Sequence, residues 1–335
     1  MKRKIIKQGH NTLTITLPND WAKEHNVKAG GEIDVSPRDN GLFISTESVD
    51  NKRCTTIDIS EMNIPTIWKY FMAVYREGYD EIKVIFKPGE LYDYPYKYMI
   101  SQAINSKDKL TSKRTPTETI QDITNRFIGL EIIEHHKNYC IIRDMTDIST
   151  KEFDASFRRV FLILLQMGEE IQESIQNNNS EPLQNINDMD INVDKFHDYC
   201  VRVLNKTGFK DAKKSHLMFL TLYFLEILGD EFKLVSQHIC HDMAKQDLKN
   251  LLELAEMTMN QFKNYYESFY SFSKDKVVLM SNKDIELFSY VPEIYRKESG
   301  KKSKFTHMEF EIFNHFRTIS LLINSLIEIR VEMEF

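Results

Sequence analysis

The spacing of apolar positions changes character along the chain. In residues 1–47 it is short and alternating. Lys4-Ile5-Ile6 precedes Gly9, and Leu13-Thr14-Ile15-Thr16-Leu17 runs with period two into Pro18, which predicts strands. Asn19 or Asp20 can cap a short helix over 21–25. Gly30-Gly31 marks a turn. Ile33-Asp34-Val35 and Leu42-Phe43-Ile44 read as strands joined by Arg38-Asp39-Asn40-Gly41, where Asn-Gly is a hairpin signal. Residues 51–145 mix periods. Helices are expected over 65–77, 94–105 and 121–129, a strand over 81–86, and a hairpin from 131–134 and 139–143. The polar stretch 107–119, with threonines around Pro116, reads as a loop or linker.

From Ser149 onward the period is helical. Phe153, Phe157, Val160, Leu164, Met167, Ile171 and Ile175 recur at spacings of three and four, the stripe of a core-facing helix. Asn177-Asn178-Asn179-Ser180-Glu181-Pro182 ends it. Further helices are expected over 183–205, 213–245, 247–272, 276–296 and 304–333. Six helices with short connections make a bundle. Leu225-Glu226-Ile227 is echoed by Phe310-Glu311-Ile312, so the six divide into two three-helix repeats.

Composition sharpens this outline. Gly (11) and Pro (8) are scarce among 335 residues, which excludes a turn-dense all-β chain. The net charge of −6 is unevenly placed: residues 1–150 hold 21 basic and 21 acidic residues, so the excess acid follows Lys151. Lys2, Arg3, Lys4 and Lys7 concentrate positive charge at the start, and no acidic residue precedes Asp20. The most apolar stretch, 217–228, is interrupted by Glu226 and falls short of the ~20 residues that span a bilayer. No secretory leader is evident in Met1–His10. Cys54, Cys140, Cys200 and Cys240 form no CxxC pair. A cytoplasmic chain with free thiols and no membrane insertion is expected. Walker, GxGxxG, GxSxG and HExxH patterns are absent, so no enzymatic activity is expected.

The N-terminal residues resemble a known family. Lys4-Ile5-Ile6-Lys7-Gln8-Gly9, Leu13 to Trp21, Val27-Lys28-Ala29-Gly30-Gly31-Glu32-Ile33 and Gly41-Leu42-Phe43-Ile44 are similar to the swapped-hairpin AbrB/SpoVT/MazE domain, with Gly31-Glu32 where the family usually has Gly-Asp. The resemblance implies an intertwined homodimer formed through this domain and binding to double-stranded DNA. A module this small cannot bury much surface alone, and its basic strip would neutralise phosphates. Arg3, Lys4, Lys7, His10 and Arg38 are the candidate contacts.

In the helical part, Asp190-x-x-x-Asp194 and Glu226-x-x-x-Asp230 pair carboxylates at the spacing of one helix face, so each pair can offer oxygens to one cation. Glu226 lies in an apolar stretch, where a carboxylate needs a cation, an arginine or a proton. The region 149–335 resembles the PhoU phosphate-regulator family, whose two three-helix repeats carry Glu/Asp-x-x-x-Asp metal motifs. The resemblance implies a divalent or trivalent ion (Fe, Zn, Mn or Mg) at Asp190, Asp194, Glu226 and Asp230. The second repeat departs from the pattern: Glu311-Ile-Phe-Asn-His315 carries His where Asp is expected, and Asp284 stands without a clear partner.

The expected fold is therefore multidomain. A small swapped-hairpin β domain (1–48) is followed by a mixed α/β segment (51–145) and an all-α, PhoU-like bundle of two three-helix repeats (149–335). This combination resembles the phosphate uptake regulators of archaea. The implied function is control of phosphate uptake and intracellular phosphate homeostasis by a DNA-binding regulator with a metal-binding sensory or interaction domain. Two alternatives stand beside it. One is a non-DNA-binding interaction protein that restrains a phosphate transporter ATPase or a signalling kinase. The other is an antitoxin-like DNA-binding protein.

Overall fold

The computed structural model describes residues 2–9, 11–38, 41–45, 52–93, 113–146, 150–207, 211, 214–242, 248–299 and 307–335. The chain divides into two compact units, Met1–Lys52 and Arg53–Phe335.

The first unit holds two antiparallel strand pairs and one short helix. β1 (Ile6–Gln8) pairs with β2 (Thr12–Thr14), Lys7 opposite Leu13. The turn between them uses Gly9 at φ 75°, a conformation glycine adopts without strain. α1 (Asn19–Glu24) starts from Pro18, not from a side-chain cap on Asn19 or Asp20. β3 (Asp34–Arg38) pairs with β4 (Gly41–Ser45), placing Arg38 opposite Gly41, so the expected hairpin forms but with Gly41 already in the strand rather than in the loop position of an Asn-Gly turn. Asp39 and Asn40 themselves lie outside the described residues. Ile5, Ile6, Leu13, Ile15, Val35 and Leu42 are all exposed, and among the described residues no buried apolar side chain precedes Ile57.

The second unit contains two cores. The first belongs to an α/β layer built on the strand order β5-β6-β10-β9. β5 (Cys54–Asp58) runs parallel to β6 (Glu81–Ile85), connected by α2 (Ile64–Glu77). β10 (Tyr139–Asp144) pairs antiparallel with both β6 and β9 (Leu130–His135). A further short pair, β7 (Tyr92–Asp93) with β8 (Lys113–Arg114), lies apart from that sheet. Alternate strand residues Ile82, Val84, Cys140 and Ile142 are buried against Ile67, Phe71 and Tyr75 of α2 and Ile120 and Ile123 of α3 (Pro116–Arg126). Alternation on one covered face is the expected burial for such a sheet.

The boundaries of α2 and α3 follow from local chemistry. Asn63 Oδ1 accepts the Thr66 amide at 3.0 Å, Pro65 occupies the first turn, and Gly78 closes the helix at φ 92°, a standard start and stop. α3 begins five residues earlier than the helix expected over 121–129. Thr115 and Glu118 form a reciprocal capping box with Pro116 in the first turn, so the Thr-Pro-Thr-Glu run is a helix start rather than a linker. The rest of the stretch expected to be loop, 107–112, and the helix expected over 94–105, lie outside the described residues.

The second core fills the bundle. α4 (Thr150–Asn177) buries Phe153, Phe157, Val160, Leu164, Met167, Ile171 and Ile175, the whole expected stripe. It ends where Asn178 turns left-handed at φ 50°. A 3-10 turn (Pro182–Asn185) leads into α5 (Ile186–Thr207), followed by α6 (Ser215–Asp242), α7 (Leu248–Tyr270), α8 (Lys274–Ser299) and α9 (His307–Glu332). α4, α5 and α6 pack as one set and α7, α8 and α9 as a second, joined through α4 against α7 and α6 against α9. α5 also packs against α2, so the α/β layer and the bundle meet along that helix. Among the described residues no helix is long and apolar enough to cross a membrane.

Candidate functional site

Two groups of candidate residues are set in very different surroundings. The first is the basic strip of the N-terminal unit. Lys2, Arg3, Lys4 and Lys7 are exposed, with Lys7 carried on β1. Arg38 ends β3, while its side chain and the whole of His10 lie outside the described residues. Exposed cations on short strands remain fully hydrated and can meet phosphates without loss of packing.

The second group is the acidic face between α5 and α6. Residues four apart align on a helix, so Asp190, Asp194 and Asp198 of α5 lie along one side, facing Glu226 and Asp230 of α6. The four predicted ligands lie near enough for Asp190, Asp194 and Asp230 all to act electrostatically on Glu226, without forming, among the described residues, a group that could hold a metal ion. The structure also supplies partners that their spacing did not reveal. The Lys233 ammonium donates to Asp190 Oδ2 at 2.6 Å and also to Asp230 Oδ1. Arg126, at the end of α3, lies 2.7 Å from Asp194 Oδ2 and 3.8 Å from Asp198 Oδ2. Arg76, from α2, donates through Nε to Asp198 Oδ1 at 2.7 Å and through Nη1 to the Tyr223 hydroxyl at 3.0 Å.

The electrostatics follow from burial among like charges. Burial first, and then Asp194 and Asp230, push Asp190 up to about 6 against the pull of Lys233. Burial, then Asp194 and Asp230, push Glu226 up to about 7, with Arg76 opposing. Burial also raises Asp194, with Arg126 opposing. Asp198 behaves differently. Burial raises it, but His197 at 3.5 Å and the two arginines outweigh that and hold it below the usual carboxylate range. Lys233 loses solvation by burial, yet Asp190 and Asp230 raise its pKa and keep it charged.

Below this face the two parts of the second unit are clamped together. Arg202 of α5 is fully buried. It donates to the Tyr75 and Tyr79 carbonyls at 2.6 and 2.8 Å and to Asp144 Oδ2 at 2.6 Å. Lys206 pairs with Asp80, and Asn205 Nδ2 donates to the Arg76 carbonyl at 2.8 Å.

The weaker candidates of the second repeat are not assembled with one another. Asp284 on α8 is buried, and burial followed by the charge of Glu328 raises it to about 6. His315 Nδ1 lies 2.7 Å from Glu231 Oε2 on α6, and its ring stacks on His238 with centroids 5.2 Å apart. Glu311 sits one turn before it on α9. Among the described residues, no three His, Cys, Asp or Glu side chains are grouped to hold a metal ion.

Sequence spacing could have found Asp198 and Lys233, which continue the faces of Asp190/Asp194 and Glu226/Asp230. Arg76 and Arg126 gave no such signal. Arg76 is 122 residues from its partner Asp198, and only the docking of α2 on α5 joins them.

Comparison with known proteins adds two likenesses. Residues 6–50 match the family model for MazE, described as antidote-toxin recognition MazE, bacterial antitoxin. Among solved structures, the chain is similar to the phosphate transport system regulatory protein PhoU from Streptococcus pneumoniae, with 15% identity over 55% of this chain and 94% of that one, at a TM-score of 0.47. No curated protein matches the chain. The two likenesses fall on the strand-rich head and on the helical part, the segments named by the sequence resemblances.

Proposed function

We propose that this chain is a homodimeric regulator of phosphate uptake that binds double-stranded DNA through its N-terminal unit. The observation that carries the reading is the basic strip: Lys2, Arg3, Lys4 and Lys7 are exposed at the edge of a segment matching the MazE family model. A second copy doubles that strip on one face. Dimerisation is supported by the exposed Ile5, Ile6, Leu13, Ile15, Val35 and Leu42, which a 52-residue unit cannot cover by itself. Phosphate uptake as the regulated process rests on the sequence resemblance of Asp190-x-x-x-Asp194 and Glu226-Ile-Leu-Gly-Asp230 to the PhoU pattern. The helical part is the sensory or interaction domain, and a transporter ATPase or a signalling protein is its partner.

The test is DNA affinity as a function of salt. Full-length protein is titrated onto duplex DNA from the region upstream of its own gene, between about 50 and 200 mM salt, where each neutralised phosphate adds about −0.9 to the log–log slope. Reversing Arg3, Lys4 and Lys7 to Glu lowers the slope by about one per lost contact. A flat slope for the unaltered protein removes DNA from the reading and leaves an interaction protein that is dimeric only for assembly. The family match favours one further reading, an antitoxin. In that case a small toxin co-purifies with the chain and is released when residues 6–50 are disrupted.

A further inference from the structure

The acidic face between α5 and α6 is where the PhoU resemblance implies a metal ion, and its donor set can be tested against that implication. A cation binding Asp190 and Asp230 together meets the Lys233 ammonium already donating to both. Asp194 is held by Arg126 at 2.7 Å, and Asp198 by Arg76 at 2.6 Å. The carboxylates are therefore not free oxygens converging on a vacant centre. With Lys233 in place they do not fit a metal ion, because an ammonium and a divalent cation within contact distance of the same oxygens repel each other.

We propose that the chain's own cations, Lys233, Arg126 and Arg76, stand in the place of a metal on this face and turn it into the dock of the α/β layer. Two of the three cations belong to that layer, on α3 and α2. Their partners Asp194 and Asp198 belong to α5, the bundle helix on which α2 packs. Arg202 and Lys206, further along α5, reach back to Asp144 and Asp80 of the same layer. The acids nearest the layer thus bind its arginines, and the acids furthest from it share Lys233. This arrangement gives Asp190, Asp194, Asp198 and Asp230 each a cation in contact, which a buried carboxylate requires, while Glu226 meets the opposing charge of Arg76. It leaves Lys233 as the group that occupies Asp190 and Asp230, the two carboxylates that the layer's arginines do not hold. The inference is independent of the DNA-binding reading.

The experiment is equilibrium dialysis of the full-length protein against Mn²⁺ or Zn²⁺, with elemental analysis and thermal unfolding in each condition. The unaltered protein is expected to retain no stoichiometric metal at this face and to show no Tm shift. Lys233→Ala is expected to gain one bound ion per chain with an affinity increase of about a hundredfold, ~2.8 kcal/mol at 1.4 kcal/mol per decade. Adding Asp190→Asn to it abolishes the gain. Lys233→Met keeps the stem of the side chain and serves if the alanine variant folds poorly by circular dichroism. Stoichiometric metal in the unaltered protein that is lost in Asp190→Asn overturns the proposal. So does the failure of both folded Lys233 variants to gain an ion.

Discussion

Replacing Arg202 tests whether the α/β layer and the bundle form one cooperative body. Its guanidinium is fully buried and makes three bonds, to the Tyr75 carbonyl, the Tyr79 carbonyl and the Asp144 carboxylate, all between 2.6 and 2.8 Å. The Asp144 side chain is only 2% exposed. Arg202→Met removes the charge but keeps an apolar stem, taking a donor from the Tyr79 carbonyl, leaving the Tyr75 carbonyl with the Gly78 amide at 3.0 Å, and leaving a carboxylate without its main cation. Breaking a buried pair from one side costs roughly 3–5 kcal/mol. Thr146 still donates to Asp144 at 2.6 Å, and Lys206 lies 3.6 Å away, so the lower end of that range, about 3 kcal/mol, is expected. Urea unfolding followed by the fluorescence of Trp68, with Trp21→Phe as background, measures it. Asp144→Asn in the Arg202→Met background should recover part of the loss, because no buried charge then remains.

The pH dependence supplies a second check with a defined sign. Burial raises Asp144, but bonds from Thr146 and Arg202 outweigh it and hold the carboxyl below its usual 3.8. A depressed folded value means the stabilisation is fully present above the unfolded value and is lost as pH falls through the folded one. Without Arg202 the Asp144 carboxyl is no longer held down, so that contribution is already reduced at neutral pH, and the stability gap between Arg202→Met and the unaltered chain should narrow as pH falls below the usual carboxylate value. If Arg202→Met unfolds within about 1 kcal/mol of the unaltered protein at neutral pH, the typical scale of a minor substitution, the clamp does not hold the layer to the bundle.

Three further outcomes follow from local geometry. Thr115→Ala removes one half of the capping box of α3 and should cost about 1 kcal/mol, read as a lower urea midpoint with an unchanged slope. Gly78→Ala must hold φ 92° with a side chain and would place its Cβ 2.5 Å from Cγ of Lys206; a loss of about 1–2 kcal/mol is expected, against no change if the helix end simply relaxes. His315→Asp places a carboxylate where the imidazole now lies 2.7 Å from Glu231, and thermal unfolding at neutral pH should fall by several degrees, whereas His315→Gln should fall less.

The long helices were legible because their signal is redundant. Seven apolar positions on α4 recur at three and four, and all seven are buried. β5 was missed because Cys-Thr-Thr-Ile-Asp contains a single buried residue, Ile57, too little for a periodicity. The start of α3 hides in a polar stretch that reads as loop, because Thr115 and Glu118 make Pro116 a first-turn proline only once they form their capping box. The acidic face was half legible. Its carboxylates share a helix period, but their partners depend on which other element packs there. Lys233 was within reach of the same reasoning, whereas Arg76 and Arg126 become partners only when α2 and α3 are placed on α5.

The same contrast separates the two repeats and the two charge sets. Glu226-Ile-Leu-Gly-Asp230 and Glu311-Ile-Phe-Asn-His315 occupy matching places on α6 and α9, helices that pack against each other. In the first repeat the aspartate turns to Lys233. In the second, the histidine turns across the helix contact to Glu231. Both positions therefore serve pairs within the protein, but their exposure differs: His315 and Glu231 are each 17% exposed, whereas Asp230 is 48% exposed and shares Lys233 with Asp190, which is 6% exposed. Salt screens exposed charges over a Debye length of about 3 Å at 1 M, but screens buried pairs far less. High salt should thus strip the Lys2, Arg3, Lys4 and Lys7 strip of any phosphate partner while leaving the acidic face and the joint between repeats closed. A far-UV and near-UV circular dichroism spectrum unchanged at 1 M salt, under conditions that abolish DNA binding, is the outcome this division of charge requires. Loss of the near-UV signal at that salt would show that the buried pairs are solvated as readily as the strip.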